Sequence, residues 1–479
     1  MTLTALPDNA LQSVDGGFVL HLGLPWIRSL PLASLQDLWI TIDGEAVDGL
    51  TVELDGRRID LTALADEAGW WFLQDRLAVH GDRALTAGAH NVSVTFRLTM
   101  PYMQAGPDSP LSLPFNFEKA LTLDAAALEV RHSEPQSRPS SPQANDITLP
   151  TGWTMAASAF NWTPEVIRSD RPAPDIAIGI VSDGVASVIE LEPGQMWRSF
   201  PETTDPETDA FHDALSAAGG SVSIVGASLD DWLSTSRRRS DAERFAFLHS
   251  QLHAANRVGA KGVRLPIGQA GEPLLRELIP ALHELDLVLY EEIGAQQTPS
   301  APGTDKALDT IARVDDSRVR VLVDTSMLMP SLPPSYLELL RHGGVPEDMM
   351  SRLATDWQDP ATHEAVIDLL RSGGVPPHVH TTYMNLLVRF GRSRAGDLRP
   401  IIPLVGAVHL KFWDLDDDGG RVTQPVHDIA AELASAGFTG SLCSEWGGHE
   451  WLDDDPTDMT RGHLALARAA LGSGAASVL

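Results

Sequence analysis

Four short apolar runs in the second half of the chain each carry a side chain that can bind a metal near their carboxyl end. The runs cover residues 287–294, 319–324, 406–413 and 440–446. Runs of this length, rich in Leu and β-branched residues, are typical of buried parallel strands. A polar side chain at the carboxyl end of such a strand faces the mouth of an α/β barrel, where active sites of this fold lie. The side chains at these four strand ends are Glu292, Asp324, His409 and Glu445.

Three carboxylates and one imidazole form a mixed set of oxygen and nitrogen ligands. Such a set suits Mn²⁺, Mg²⁺ or Fe²⁺ better than a structural zinc ion, which prefers Cys and His. One of these residues alone could be a capped strand end or a surface charge, but four on successive strand ends favour a metal site. We therefore predict one bound divalent cation, with Mn²⁺ as the first choice and Mg²⁺, Fe²⁺ or Zn²⁺ as alternatives.

The strand-like runs continue through the whole C-terminal part, residues 149–479. Strands are predicted at 152–160, 186–191, 221–227, 262–267, 287–293, 319–325, 405–413 and 440–446. Helical patterns separate them, and the helix after the third strand has a capping box of Ser240 and Glu243. Eight strands that alternate with helices predict a (β/α)₈ TIM barrel. Prolines at 171–174 predict a broken first helix, and the connection at 326–404, far longer than the usual ~2–6 residues, is predicted to cover the barrel mouth.

The N-terminal part, residues 1–130, has a different pattern. Polar and apolar residues alternate in runs such as 18–22 and 91–98, and Asp-Gly pairs occur between the runs. This pattern predicts an antiparallel β-sandwich. Trp70 and Trp71 could stack on a sugar, but paired Trp residues more often fill a core. Residues 131–148 are rich in Pro and Ser and are predicted to be a linker.

Charge and cysteine content limit the kinds of partner and compartment. The net charge of −30 argues against nucleic acid or an anionic membrane as a partner. Cys443 is the single cysteine, so no disulfide framework exists. The first residues lack a signal-peptide pattern, and no run reaches the ~18 apolar residues of a membrane span. We expect a cytoplasmic protein with a small sugar or glycoside as its partner, and a homo-oligomer is compatible with the sequence.

Several segments are similar to known proteins. They are Ile-Glu-Leu-Glu-Pro-Gly-Gln-Met at 189–196, His-Leu-Lys-Phe at 409–412 and Ser-Glu-Trp-Gly-Gly-His at 444–449. On these segments the C-terminal part resembles the xylose-isomerase-like TIM barrels, the sugar phosphate isomerase/epimerase superfamily, and among them the α subunit of bacterial C-glycoside deglycosidases. The N-terminal part resembles the β subunit of the same enzymes at 24–31, 42–45 and 100–102. The resemblance implies that two partner subunits are fused in one chain.

The resemblance also implies a reaction. In the superfamily, residues equivalent to Glu292, Asp324, His409 and Glu445 bind one divalent metal. The enzymes would act on a glycoside oxidised at sugar C3, with a C-linked or O-linked aglycone. A base removes the C2 proton, and the aglycone leaves from C1 through an enolate, so the protein would be a metal-dependent lyase. A ketone acidifies its α-proton, and a cation stabilises the developing oxyanion.

One departure from the family pattern concerns the general base. The family has a His two residues after the strand-five Glu, and this chain has Gly294 there. Lys411 shares the strand face of His409, and His449 follows Glu445 by four residues. We predict His449 for proton transfer and Lys411 for stabilising the oxyanion. Alternative bases in the long connection are His378, His380 and Tyr383.

Two residues of the matching segments, Gln195 and Trp446, are predicted to bind substrate. Two other functions stay open at this point. The same metal site could serve an isomerase or epimerase of a free keto-sugar. Because the family His is missing, the protein could also be a catalytically silent sugar-binding or scaffolding protein. Release of an aglycone would separate the lyase from both.

Overall fold

The structure, a computed structural model, describes residues 5–54, 56–106, 108–126 and 148–478. The linker predicted at 131–148 lies outside the described residues except for residue 148. Before it the described chain forms antiparallel sheets, and after it a closed barrel of eight parallel strands. The predicted fold class, an antiparallel β-sandwich followed by a (β/α)₈ TIM barrel, is confirmed.

The N-terminal strands form a five-stranded and a four-stranded sheet, with a short two-stranded ribbon beside them. The strands are β1 (Leu11–Val14), β2 (Gly17–Gly23), β3 (Leu30–Pro31), β4 (Leu35–Ile42), β5 (Glu45–Ala46), β6 (Thr51–Leu54), β7 (Arg57–Asp60), β8 (Trp70–Trp71), β9 (Arg76–Gly81), β10 (Ala89–Gly106) and β11 (Ser109–Thr122). Their orders are β1-β2-β9-β6-β7, β11-β10-β4-β5 and β3-β8.

Apolar and polar residues alternate along the strands of the N-terminal part, and the apolar ones form its core. In β10, Val92, Val94 and Phe96 are fully buried, while Asn91 and Thr95, which alternate with them along the strand, are exposed. Successive side chains of a strand point to opposite faces, so the buried set packs against the other sheet. At the β4–β5 turn, Asp43 and Gly44 both have positive φ, at 54° and 80°. Such a turn follows the twist of a hairpin.

The barrel strands follow in chain order around a closed ring. They are β12 (Trp153–Ser158), β13 (Val188–Leu191), β14 (Ser221–Gly226), β15 (Gly262–Pro266), β16 (Val288–Ile293), β17 (Val319–Asp324), β18 (Val405–Phe412) and β19 (Gly440–Trp446). All eight predicted strands are present, each within two residues of its predicted bounds.

Helices cover the outside of the barrel and part of its mouth. They are α1 (Thr163–Arg168), α2 (Ala173–Ser182), α3 (Pro193–Met196), α4 (Asp205–Ala217), α5 (Asp241–Arg257), α6 (Gly271–Glu284), α7 (Pro302–Val314), α8 (Pro334–His342), α9 (Glu347–Thr355), α10 (Pro360–Arg371), α11 (His380–Val388), α12 (Thr423–Ser435) and α13 (Pro456–Ala476). The capping box forms at the start of α5, where Ser240 Oγ accepts from the Glu243 amide at 3.3 Å and the Glu243 carboxylate accepts from the Ser240 amide at 2.8 Å. The first helix is broken into α1 and α2, as the prolines predict. No helix among the described residues is long and apolar enough to cross a membrane.

The long connection between β17 and β18 forms a helical insertion with its own apolar core. This core includes Tyr336, Met350, Phe390 and also Trp413, which directly follows β18. The rings of Phe390 and Trp413 meet edge to face, with centroids 4.8 Å apart. The insertion therefore rests on the carboxyl end of the barrel, as predicted.

The N-terminal part packs on the loops that follow the first three barrel strands. The Arg28 guanidinium contacts Asp230 Oδ1 at 2.5 Å, and both side chains are buried. The amide of Ser29 donates to the carbonyl of Gly194 at 2.8 Å. Apolar residues of both parts belong to one continuous core cluster. The carboxyl face of the barrel is thus covered by the N-terminal part on one side and by the insertion on the other.

Candidate metal centre and active site

The four predicted ligands come together at the carboxyl end of the barrel. One ligand atom each from Glu292, Asp324, His409 and Glu445 lies within 4.8 Å of all the others. Each side chain comes from a different strand, β16 to β19 in order. Parallel strands of a barrel end at one face, so these distant positions meet without any special loop.

The imidazole of His409 is oriented by a buried carboxylate. His409 Nε2 lies 2.9 Å from Glu190 Oε2, and both side chains are buried. Because a carboxylate accepts, Nε2 carries a hydrogen. Burial lowers the pKa of His409, but the carboxylates of Glu445, Glu190 and Glu292 raise it, and the net shift is well upward, so without a cation Nδ1 is protonated as well. Nδ1 lies 2.5 Å from Glu445 Oε2 and 3.0 Å from Glu292 Oε1. Among the described residues, neither His409 Nδ1 nor Glu445 Oε2 has a hydrogen-bond partner with acceptable geometry.

These unpaired atoms fit a divalent cation. Buried polar atoms are nearly always paired, and here an imidazole nitrogen and a carboxylate oxygen converge without a well-directed hydrogen bond, so a cation could bind between them in exchange for the proton on Nδ1. Burial raises the pKa of Asp324 to about 6, with the carboxylates of Glu445 and Glu292 adding to the rise and Lys411 opposing it. A cation would relieve this crowding of like charges, and three oxygen donors with one nitrogen suit Mn²⁺, Mg²⁺ or Fe²⁺.

Lys411 lies beside the cluster. Its Nζ donates to Glu445 Oε1 at 2.6 Å and lies 5.7 Å from the ring centre of Phe160. Burial lowers the pKa of Lys411, but the carboxylates of Glu445 and Asp324 raise it, and the net shift is upward. In this state the side chain is an ammonium group that faces the ligand cluster.

A cleft of about 480 Å³ opens above these residues. Glu292, Asp324 and Lys411 form part of its floor. One wall is the end of the insertion, where Val388 is 57% exposed. The remaining lining residues are Pro266, Gly294, Ala295, Gln296, Gln297, Ser326, Leu387, Arg389 and Trp413.

The placement of His449 does not support the predicted role in proton transfer. Its side chain is fully buried and packs edge-on against Phe160 and Trp446, with ring centroids 4.9 and 5.7 Å away. It is absent from the lining of the cleft. Burial, and then the charge of Lys411, lowers the pKa of His449 to about 3. The sequence spacing could not reveal that the chain turns inward after β19.

The two predicted substrate-binding residues, Gln195 and Trp446, are also enclosed. Gln195 Nε2 donates to the carbonyl of Ile27 at 2.6 Å and to Thr163 Oγ1 at 2.9 Å, so it joins the N-terminal part to the barrel. Trp446 is fully buried, and its indole N–H donates to the carbonyl of Trp413 at 2.9 Å. Neither residue lines the cleft.

The alternative bases in the long connection lie away from the cleft. The Tyr383 hydroxyl donates to the carbonyl of Val366 at 3.2 Å inside the insertion core. His378 and His380 are exposed and do not line the cleft. Of the predicted proton-transfer groups, Lys411 is the one that lines the cleft.

Three charged residues of the site were missed in the sequence. They are Glu190, Glu192 and Arg264. Glu190 accepts the hydrogen bond that orients His409. Arg264 forms ion pairs with Glu192 and with Glu292, and its Nη1 lies 2.8 Å from Glu292 Oε2. Both Glu190 and Arg264 interrupt short apolar runs, β13 and β15. A buried charge needs a partner, so a lone charged residue inside an apolar strand is the signal that could have identified them.

Comparison with known proteins gives the family. No protein-family profile matches the chain. The C-glycoside deglycosidase α subunit of Arthrobacter globiformis is 29% identical over 329 residues, which cover 67% of this chain and 93% of that protein. The C-glycoside deglycosidase β subunit of the same organism is 32% identical over 103 residues, 20% of this chain and 79% of that protein. The chain belongs to the C-glycoside deglycosidase family.

This deglycosidase family member matches relatives of both subunit kinds. The 3'-dehydrocarminate deglycosidase α subunit of a Microbacterium species is 26% identical over 336 residues, 66% of this chain and 95% of that protein. The family resemblance predicted from the short segments is confirmed. Among solved structures, D-psicose 3-epimerase covers 67% of this chain and 99% of its own, with 14% identity and a TM-score of 0.40. The match to the 3-keto-D-glucoside 4-epimerase of E. coli covers 66% of this chain and 99% of that protein, with 14% identity and a TM-score of 0.39.

Proposed function

We propose that the protein is a divalent-metal-dependent lyase that cleaves a C-linked or O-linked 3-keto-glycoside by β-elimination. The observation that carries the proposal is the convergence of four ligand atoms, one of them His409 Nδ1, below an open cleft. The relatives named deglycosidases support the reaction class, and the name 3'-dehydrocarminate deglycosidase supports a sugar oxidised at C3.

The proposed site holds the sugar by its oxidised end. A divalent cation held by Glu292, Asp324, His409 and Glu445 would supply Lewis-acid stabilisation of negative charge on the ketone oxygen. Arg264, fixed between Glu192 and Glu292, keeps the Glu292 carboxylate in place. The insertion wall and the N-terminal part exclude water from the two sides of the barrel mouth, which strengthens these electrostatic interactions.

We assign the proton transfer to Lys411 instead of His449. Lys411 lines the cleft, whereas His449 is enclosed against Phe160 and Trp446. The neutral amine would take the C2 proton to give the enolate, and the C1–C2 double bond would then form as the C1–aglycone bond breaks. The resulting ammonium would return this proton to the aglycone, so that the step needs no water and no redox partner. The carboxylate of Glu445 raises the pKa of Lys411. A cation bound to Glu445 would lower this pKa again and so favour the neutral amine.

We also propose the division of the chain into residues 1–130, a linker at 131–148 and residues 149–479. The first segment would be the counterpart of the β-subunit relatives and the last that of the α-subunit relatives. The contacts of Arg28, Ser29 and Gln195 support this, since they join the two segments at the loops above the first three barrel strands.

Product analysis tests the function. The purified protein is loaded with Mn²⁺ and incubated with an aryl 3-keto-C-glycoside and, separately, with a free 3-keto-sugar. Release of the aglycone is expected from the first substrate. Epimerisation of the free sugar without release would indicate an epimerase, and binding without turnover would indicate a silent sugar-binding protein.

Variants test the assigned residues. His409→Ala is expected to lose the metal in elemental analysis, while the control His283→Ala, an exposed histidine on the outside, keeps it. Lys411→Met is expected to lower kcat by the ~10²–10⁴-fold typical of a lost acid or base. His449→Phe keeps the ring packing and is expected to retain most of the activity. If His449→Phe loses this much activity and Lys411→Met keeps most of it, the assignment of proton transfer to Lys411 is wrong.

A further inference from the structure

We propose that Asn161 is a positioning residue whose carboxamide holds the end of β19 and thereby fixes Glu445 in the metal site. The inference rests on the proposed metal-dependent function, because it concerns how a ligand of that site is held. It adds a residue from the first barrel loop to a site whose ligands come from β16 to β19.

The side chain of Asn161 binds the end of β19 where the neighbouring strand β12 has already ended. The parallel pairing of β12 with β19 runs from Trp153 opposite Gly440 to Ala157 opposite Ser444. The strand β12 then ends at Ser158, and the chain turns away in a short helix, Ala159–Trp162. Beyond that point the backbone of β19 would lack a partner on this side. Unpaired backbone groups in a buried strand are costly, so another group must bind them.

The carboxamide of Asn161 binds the peptide groups on both sides of Glu445. Asn161 Nδ2 donates to the carbonyl of Ser444 at 3.2 Å, and Asn161 Oδ1 accepts from the amide of Trp446 at 2.7 Å. On the opposite side β18 continues the sheet, with Lys411 opposite Glu445. The strand end that carries Glu445 is therefore held between a strand and a side chain.

The orientation of the carboxamide is determined by its partners. The Ser444 carbonyl can only accept and the Trp446 amide can only donate, so the oxygen and nitrogen of Asn161 cannot exchange places. The second hydrogen of Nδ2 is donated to Thr460 Oγ1 at 3.0 Å. Asn161 and Thr460 are both fully buried. All the polar atoms of the Asn161 side chain are thus paired, and each one acts on the position of β19.

The position of Glu445 has direct consequences for the site. Its Oε1 accepts from Lys411 at 2.6 Å, and its Oε2 points to His409 Nδ1. A ligand set must be held within about 0.5 Å of its working geometry by the groups around it. Loss of the carboxamide would let the strand end shift, and outer groups of this kind typically contribute ~10–100-fold to metal affinity.

Titration with Mn²⁺, followed by the electron paramagnetic resonance signal of the free ion, tests this role. Asn161→Leu has the same number of side-chain heavy atoms but cannot form the hydrogen bonds. Gln251→Met is the matched control, because buried Gln251 binds both the amide and the carbonyl of Ser228, at 2.9 and 2.8 Å, with no residue of the metal site involved. We expect Asn161→Leu to weaken Mn²⁺ binding ~10–100-fold and to alter the spectrum of the bound ion, and Gln251→Met to change neither.

The outcomes separate the inference from the proposed function. If the wild-type protein does not bind Mn²⁺, the metal-dependent function fails. If the wild-type protein binds Mn²⁺ and Asn161→Leu binds it with the same affinity and spectrum, the role of Asn161 is wrong. If Asn161→Leu does not fold, Thr460→Val decides instead. That variant removes only the oxygen that accepts the second hydrogen of Asn161 Nδ2, so a several-fold weaker affinity supports the inference and an unchanged affinity overturns it.

Discussion

At the scale of single residues, Gly294 packs closely against the end of the strand that carries Asp324. A Cβ atom at this position would lie 3.0 Å from Asp324 Cβ and 3.3 Å from Ser326 Oγ. A side chain here therefore requires Asp324 or Ser326 to shift by a few tenths of an ångström, and Asp324 is one of the four predicted ligands.

Gly294→His is expected to weaken metal binding instead of restoring a general base. The new Cβ would push Asp324 away from the other ligands, and the affinity for Mn²⁺ should fall about tenfold or more. Gly294→Ala, which adds the Cβ alone, should show part of the same loss. The control is Gly303→Ala in α7, where an added Cβ meets no atom within 4 Å. An increase in kcat for Gly294→His with full metal occupancy would contradict this explanation.

At the scale of elements, the sequence predicted the strands well because each barrel strand is a short apolar run between helical patterns. The four ligands followed from the same reasoning, since strand ends of a parallel barrel share one face. The burial of Trp446 follows from strand parity. Neighbouring residues of a strand point to opposite faces, so a tryptophan directly after Glu445 must point away from the cleft. The contacts of Glu190 and Asn161 join residues more than 200 positions apart, and no local pattern encodes such pairs.

Two buried glutamates on different barrel strands, β13 and β16, offer a matched test of the Glu190 contact. Glu190→Gln keeps an acceptor for His409 Nε2 but removes the charge that strengthens the imidazole as a ligand, so Mn²⁺ affinity should fall about tenfold. The control is Glu291→Gln on β16. Glu291 is equally buried, but its Oε2 accepts from the amide of Gly268, outside the ligand cluster. Equal losses of Mn²⁺ affinity in the two variants would show that the Glu190 contact has no specific role.

At the scale of the whole molecule, the two parts are joined by a buried ion pair, Arg28 with Asp230, and by an exposed one, Arg198 with Asp75. Arg28→Met would leave Asp230 buried without its partner, which typically costs about 3–5 kcal/mol. Arg198→Met is the control. Arg198 also bridges the two parts, to Asp75 at 2.9 Å, but it is 65% exposed, and such pairs are worth only about 0–1 kcal/mol. The unfolding temperature should therefore drop clearly for Arg28→Met and hardly for Arg198→Met.

Acid is expected to destabilise the whole molecule through its buried histidines. Burial lowers the pKa of His463 to about 3, and the unfolded chain titrates near ~6.5. Between these values the unfolded state binds a proton that the folded state does not. The free energy of unfolding therefore falls as the pH decreases from ~6.5 to ~3, by up to ~1.4 kcal/mol per pH unit for this group. When the free energy of unfolding is measured across this pH range, it should depend less steeply on pH in His463→Gln than in the wild-type protein. An unchanged slope would contradict the role of His463 in acid destabilisation.

The shared core of the two parts also determines how the protein responds to dilution. Two separate chains held by the contacts of Arg28, Ser29 and Gln195 would dissociate as their concentration fell, and the loops above the first three barrel strands would lose their cover. In a single chain the same contacts form within one molecule, at an effective concentration set by the connecting segment and not by the amount of protein. Activity per chain should therefore stay constant at concentrations where a two-chain assembly would already have separated, and the two parts are always present in equal numbers.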